Sequence, residues 1–278
     1  MSENPSTNVV FTPYEISMCL YDVDRTRLWK QAIEDVVKEG DIVVDAGAGT
    51  GILGLFAALD GAKHVYSIEL NPRFCRLIKS LAKKNNVADR ITVINADAST
   101  VELPEKVDVV ICELLCTGQF FEPEVQVINH LRKYFKNTTK LIPQKVESYV
   151  QLLDAHELLY GVRIDTDSRS MLLADDEPVS TKEKYDTIDL TKEVKPEMVN
   201  STVKVRARKT RIADAVVITS RAHLTQDIIT SKSEFLYNPE VIYLKKPVNL
   251  IKDEYYNVKI SYPYGCDTLD AVIEVTKA

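Results

Sequence analysis

The chain has 278 residues, with 35 Lys+Arg against 41 Asp+Glu and a formal net charge of −6. Its 45% hydrophobic and 27% charged residues argue against a fibrous repeat or extensive disorder, and its length suffices for one large domain or two modest ones. The five cysteines include no C-x-x-C pair, so neither a disulfide framework nor a zinc site is indicated and no metal is expected.

The first eight residues are polar and lack the basic and apolar regions of a signal peptide. No apolar run reaches the length of a membrane span, so the expectation is a cytoplasmic protein with no membrane partner. Over 24–40, Leu28, Trp29, Ala32, Ile33, Val36 and Val37 recur at three-to-four spacing, which predicts an amphipathic helix stopped by Gly40. Segment 41–45 reads as a buried strand, 51–59 as a helix and 64–69 as a second strand. Asn71-Pro72 caps a further helix, 90–95 and 107–112 are strands, and 123–135 has helical spacing. Strands separated by helices in this rhythm predict an α/β, Rossmann-like domain with a mostly parallel sheet.

After Pro143 the pattern changes. Segments 145–152, 202–206, 213–219, 241–244, 256–260 and 269–275 read as short strands with little helical periodicity between them. The expectation is therefore two domains, 1–142 and 143–278, the second an antiparallel, β-barrel-like unit. Segment 163–199 is charged and aperiodic apart from Met171-Leu-Leu-Ala174, and reads as a solvated loop or an arm that docks a partner subunit.

Glycine is scarce, nine in all, yet Gly47, Gly49, Gly51 and Gly54 fall within eight residues, between the first strand and a helix. Such a turn lets a nucleotide-like ligand lie against bare backbone near a helix N-terminus. Glu69, at the end of the next strand, is placed to accept hydrogen bonds from both ribose hydroxyls. Gly49-Thr-Gly51-Ile-Leu-Gly54 satisfies the dinucleotide pattern, with Glu69 at the expected spacing. Asp45-Ala-Gly47-Ala-Gly49-Thr-Gly51 instead resembles motif I of class I S-adenosylmethionine-dependent methyltransferases, because Asp45 stands two residues before the first glycine. In that class an acidic residue at the position of Asp97 often receives the adenine amino group; otherwise Asp97 is a turn or cap residue.

Cys19-Leu-Tyr-Asp22-Val-Asp-Arg25-Thr26 resembles the N-terminal helix of the protein arginine methyltransferases, which implies that Arg25 binds the cofactor carboxylate. That family also carries two glutamates on the loop after the fourth strand, and Glu113 and Glu122 preserve their separation. The resemblance implies that Glu113 and Glu122 are catalytic: they clamp a guanidinium, aim one nitrogen at the methyl group and take up the departing proton. Glu122 before Pro123 also reads as a helix-start acid. The chain departs from the family at Leu114-Leu115-Cys116, where it has tryptophan-methionine-glycine, and at Phe235-Leu236-Tyr237, which replaces a threonine-histidine-tryptophan loop.

The resemblance implies an enzyme that transfers methyl from S-adenosyl-L-methionine to a basic protein substrate, leaves S-adenosyl-L-homocysteine and forms a homodimer. Two alternatives stay open. One is an RNA methyltransferase on the same scaffold, served by the basic cluster Lys204, Arg206, Arg208, Lys209 and Arg211, although the Asp/Asn-Pro-Pro-Tyr motif of many base methylases is replaced by Cys112-Glu113-Leu114-Leu115. The other is a non-catalytic module that only binds S-adenosylmethionine.

Overall fold

The computed structural model describes residues 12–278 apart from 156–157 and 164–165. Helix α1 (Pro13–Tyr21) opens on a capping box, in which the Thr12 hydroxyl accepts from the Glu15 amide and the Glu15 carboxylate accepts from the Thr12 amide. The Asp22 carboxylate then caps α2 (Val23–Val36) by accepting from the Arg25 amide at 3.1 Å. Helix α2 buries Trp29, Ala32, Ile33 and Val36, the face that the spacing predicts. It stops at Val36, and Gly40 takes φ +91° in the turn that follows.

Next come β1 (Ile42–Ala46), α3 (Ile52–Leu59), β2 (His64–Ile68), α4 (Pro72–Lys84), β3 (Ile91–Ile94), β4 (Val107–Cys112), α5 (Glu124–Leu131) and β5 (Phe135–Ile142). The five strands pair in parallel in the order β3-β2-β1-β4-β5. The chain runs outward from β1 to β2 and β3, then returns to place β4 on the other side of β1. This reversal opens a crevice at the carboxyl ends of β1 and β4, where open α/β sheets hold ligands. Strand β5 has no counterpart among the predicted strands, because its Lys136, Asn137, Thr138 and Lys140 are exposed on the sheet edge and carry no apolar signal.

The second half holds β6 (Lys145–Asp154), β7 (Leu158–Leu159), β8 (Val162–Arg163), β9 (Ser168–Arg169), β10 (Glu177–Pro178), β11 (Glu183–Asp189), β12 (Met198–Arg206), β13 (Arg211–His223), β14 (Ile229–Thr230), β15 (Glu240–Leu250), β16 (Tyr255–Pro263) and β17 (Val272–Lys277). One antiparallel sheet runs β10-β6-β13-β15-β9, with β11 also on β6 and β14 on β13; a second runs β12-β16-β17. The segment expected to be a loop or arm, 163–199, therefore contributes strands to both sheets. Its periodicity fails at β11 because the register slips between Lys184 and Asp186, which buries Tyr185 and Ile188 three residues apart.

A continuous apolar core joins the two halves. Phe120, from the loop after β4, stacks on Tyr262 of β16 with ring centroids 4.3 Å apart. In the same loop the Gly118 amide donates to Ser220 Oγ of β13 at 2.9 Å, and the Tyr262 hydroxyl donates to the Gly118 carbonyl at 2.7 Å. The antiparallel half thus grips the loop that carries both glutamates.

Candidate active site

After β1 the chain passes through Gly47, Gly49 and Gly51, all at positive φ, and enters α3. Two glycines show what the turn needs. A side chain on Gly49, at φ +52°, would meet Ile16 Cγ2 at 3.0 Å, because α1 lies over the loop. A Cβ on Gly54 would stand 2.8 Å from Asp45 Oδ2 and 2.9 Å from Ser67 Oγ. Gly54 instead donates its amide to Asp45 Oδ2 at 2.9 Å, tying β1 to the first turn of α3. Asp45 is only 1% exposed, and burial pushes its carboxyl up to about 7.

A cavity of about 280 Å³ opens above this turn, walled by Gly47, Gly49 and Thr50, by Glu69 and Asp97, and by Arg25, Glu113 and Glu122. Asp45 and Gly51, predicted to bind cofactor, lie outside this wall; Asp45 holds the turn from beneath and Gly51 packs on Ile78. Glu69 accepts from the Gly49 amide at Oε2 and from the Asn71 amide at Oε1, both at 2.7 Å. Burial pushes its carboxyl up while these amides pull it down. Each oxygen has a further acceptor direction. Asp97 also anchors its own turn, its Oδ1 accepting from the Ser99 amide at 2.8 Å and the Ser99 hydroxyl at 2.7 Å.

Arg25 is 5% exposed. Its Nη1 donates to the Cys19 carbonyl at 3.2 Å, and its Nη2 pairs with Glu113 Oε2. Burial pushes the Glu113 carboxyl up and Arg25 opposes that shift. Glu122 stands one residue before Pro123, the N-cap of α5, and lines the cavity. Burial pushes its carboxyl up to about 8; the neighbouring Glu113 adds to the shift, and Arg25 opposes it. The two glutamates thus share one cavity with different electrostatic surroundings.

Sequence reading passes over the wall residues of α1 and singles out Phe235 only through its departure from the family loop. Glu15, Ile16 and Leu20 of α1 line the cavity, and the Thr12-x-x-Glu15 capping box is the signal that points to that helix. Phe235 closes another side, held by a clasp on Asp22: Asp22 Oδ2 accepts from Ser233 Oγ at 2.6 Å and from the Phe235 amide at 2.9 Å. Burial pushes the Asp22 carboxyl up, but these donors outweigh it and hold the group below its usual value. Nothing local to either segment announces a contact between residues 211 positions apart. Among the described residues no group of three or more His, Cys, Asp or Glu is placed to hold a metal, and no helix is long and apolar enough to cross a membrane.

Bare backbone at a strand-to-helix turn, a buried carboxylate with spare acceptor directions and a buried guanidinium fit a ligand bearing hydroxyls and a carboxylate, as S-adenosylmethionine does. The comparisons agree. The TRM5/TYW2 methyltransferase domain matches residues 18–155. An uncharacterized protein of Methanocaldococcus jannaschii, MJ1452, is 34% identical over 89% of this chain and 91% of its own length. Protein arginine N-methyltransferase 6 of Danio rerio is 35% identical over 46% of this chain, which spans 38% of that protein. Over the whole fold, a Trypanosoma brucei PRMT1 enzyme-prozyme complex with AdoHcy superposes with a TM-score of 0.80 at 19% identity, covering 95% of this chain and 94% of that one. Protein arginine methyltransferase 10 of Arabidopsis thaliana superposes at 0.73 with 18% identity, covering 89% of this chain and 87% of that one.

The fold and cavity define a class I methyltransferase with S-adenosylmethionine as cofactor. The chain belongs to one family with the archaeal protein, and it resembles the protein arginine methyltransferases in sequence over about half of its length and in fold throughout.

Proposed function

We propose that this enzyme methylates a guanidinium nitrogen of arginine in a basic protein substrate. The observation that carries this reading is the placement of Glu113 and Glu122 in the wall of one cavity, at the carboxyl end of β4 beside the glycine turn. S-adenosylmethionine, when bound, would supply an electrophilic sulfonium methyl group, with S-adenosylhomocysteine as the leaving group. On this reading the bare turn at Gly47 and Gly49 admits the cofactor, Asp97 receives the adenine amino group, Glu69 takes the ribose hydroxyls and Arg25 takes the carboxylate. Asp45 and Gly51 act indirectly, by shaping the turn. Glu113 and Glu122 accept hydrogen bonds from the guanidinium, fix its plane and concentrate its positive charge on the nitrogens they hold. The remaining nitrogen then keeps its lone pair for attack, and a glutamate takes its proton.

The boundary near Pro143 separates a cofactor-binding part, 1–142, from a substrate and dimerisation part, 143–278. The hairpin β7–β8 supports the pairing of two copies, with Tyr160 fully exposed and Val162 59% exposed at its tip. Five free cysteines support a reducing, cytoplasmic setting.

RNA as acceptor finds less support. In the basic cluster Arg206 pairs with Asp253, Lys209 with Glu177, and Arg211 with both Asp154 and Glu177. Lys204 lies over the Tyr255 ring. Most of that charge already faces a partner. Incubation of the protein with methyl-labelled S-adenosylmethionine and fractionated lysate, followed by amino-acid analysis, tests the reading. Labelled methylarginine is expected; label in RNA alone, or in nothing, overturns it.

A further inference from the structure

The loop that carries Glu122 is closed from behind by two residues that the proposed chemistry leaves unused. Gln119 and Glu124 flank the stretch Phe120, Phe121, Glu122 and Pro123, and they are 1% and 0% exposed. Phe121, Glu122 and Pro123 line the cavity, whereas Gln119 and Glu124 lie outside its wall. The Gln119 side-chain amide donates to Glu124 Oε2 and so joins the two ends of the stretch. Gln119 and Phe121 both take positive φ, +58° and +64°, which non-glycine residues keep only where their surroundings hold them. Two backbone bonds help: the Gly265 amide donates to the Gln119 carbonyl at 2.8 Å, and the Phe121 amide donates to the Cys266 carbonyl at 2.9 Å. Neither of these reaches past Phe121, so the side-chain bond is what ties down the far side of Glu122.

Hydrogen-bond accounting says which form of Glu124 this arrangement needs. Gln119 Oε1, Glu124 Oε1 and the Tyr237 hydroxyl are buried with no partner among the described residues. Tyr237 belongs with them, because its hydroxyl feels Glu124 more than any other charged group. An amide oxygen only accepts, and a hydroxyl donates one proton. With Glu124 ionised, Tyr237 is the one donor for two buried acceptors, and a bare charge is buried near Glu113 and Glu122. With Glu124 neutral, its own O–H is the second donor and the whole group can be satisfied. Burial pushes the Glu124 carboxyl well above its ordinary value; the Gln119 bond opposes this, and Glu113 and Glu122 add to it.

We propose that Gln119 and Glu124 are positioning residues, an amide–acid clamp that closes the loop behind Glu122 and fixes where its carboxyl meets the acceptor. The inference rests on the acceptor-holding role given to Glu122 above. Glu124→Gln copies the neutral acid, since its amide both donates and accepts, whereas Glu124→Leu fills the space and removes both bonds. Initial rates on an arginine peptide are compared for the full chain and its variants, with S-adenosylhomocysteine affinity followed by calorimetry. Glu124→Leu is expected to lower kcat about 10- to 100-fold with cofactor affinity within about threefold, and Glu124→Gln to keep kcat within about threefold of wild type. Gln119→Met, which cuts the same bond from the other end, should lose as much as Glu124→Leu. Infrared spectra at about pH 7 should show a protonated-carboxyl band in the wild type that weakens in Glu124→Gln, a readout independent of turnover. Wild-type kcat in Glu124→Leu or Gln119→Met, equal losses in Glu124→Gln and Glu124→Leu, or an unchanged infrared band would each overturn the clamp and leave Glu122 its role. Wild-type turnover in Glu122→Gln would overturn that role and the clamp with it.

Discussion

Glu113 and Glu122 face one cavity, but only Glu113 is paired with a guanidinium, and this separates what each does when altered. Glu113→Gln keeps the shape and removes the charge that holds the acceptor. Methyl transfer should fall by about 10²–10³-fold while S-adenosylhomocysteine binding, followed by calorimetry, changes less than about tenfold. Turnover at the wild-type rate would remove Glu113 from the chemistry. Glu122 carries a pH signature. Its carboxyl is raised from an ordinary 4.5 to about 8, so the folded chain holds this proton more tightly than the unfolded one. That contribution to stability is complete at low pH and is lost as pH rises from the ordinary carboxyl range through about 8. Asp45 and Glu240, each raised to about 7 with burial the main cause, act in the same direction. The thermal midpoint should fall between about pH 5 and pH 9, and fall less in Glu122→Gln, which is neutral throughout. Parallel curves for the two proteins would exclude Glu122 from the effect.

At the scale of elements, the turn between β1 and α3 is built by packing as much as by ligand contact. Gly54→Ala places a methyl against Asp45 Oδ2 and Ser67 Oγ, both within 3 Å, and disturbs the bond that ties α3 to β1. A loss of about 1–3 kcal/mol is expected in urea unfolding, with weaker cofactor binding; an unchanged midpoint would show that the contact is slack. The helices and strands around this turn are legible because their signals are local: Asn71-Pro72 caps α4, and apolar spacing marks α2. Other elements escape for stated reasons. β5 is a polar edge, β11 carries a register slip, and α1 buries no residue of its own, so only its capping box declares it.

At the scale of the whole molecule, the exposed tip of β7–β8 argues for pairing, and Met171 and Leu172 add further exposed apolar surface later in the same segment. Sedimentation at micromolar concentration should give a dimer, and Tyr160→Asp combined with Val162→Asp a monomer; a monomeric wild type would end the proposal. The sequence by itself determined the chemistry on offer: a glycine turn followed by Glu69, an arginine before it, and two glutamates nine positions apart on one loop. These signals survive in one dimension because each depends on residues close along the chain. Only the tertiary structure decided that Arg25 pairs with Glu113, that α1 covers Gly49, that Asp22 clasps the segment bearing Phe235, and that Asp45 stands behind the cavity wall. Those relations join residues far apart in sequence, and burial, which no local pattern reports, sets both their distances and their charges.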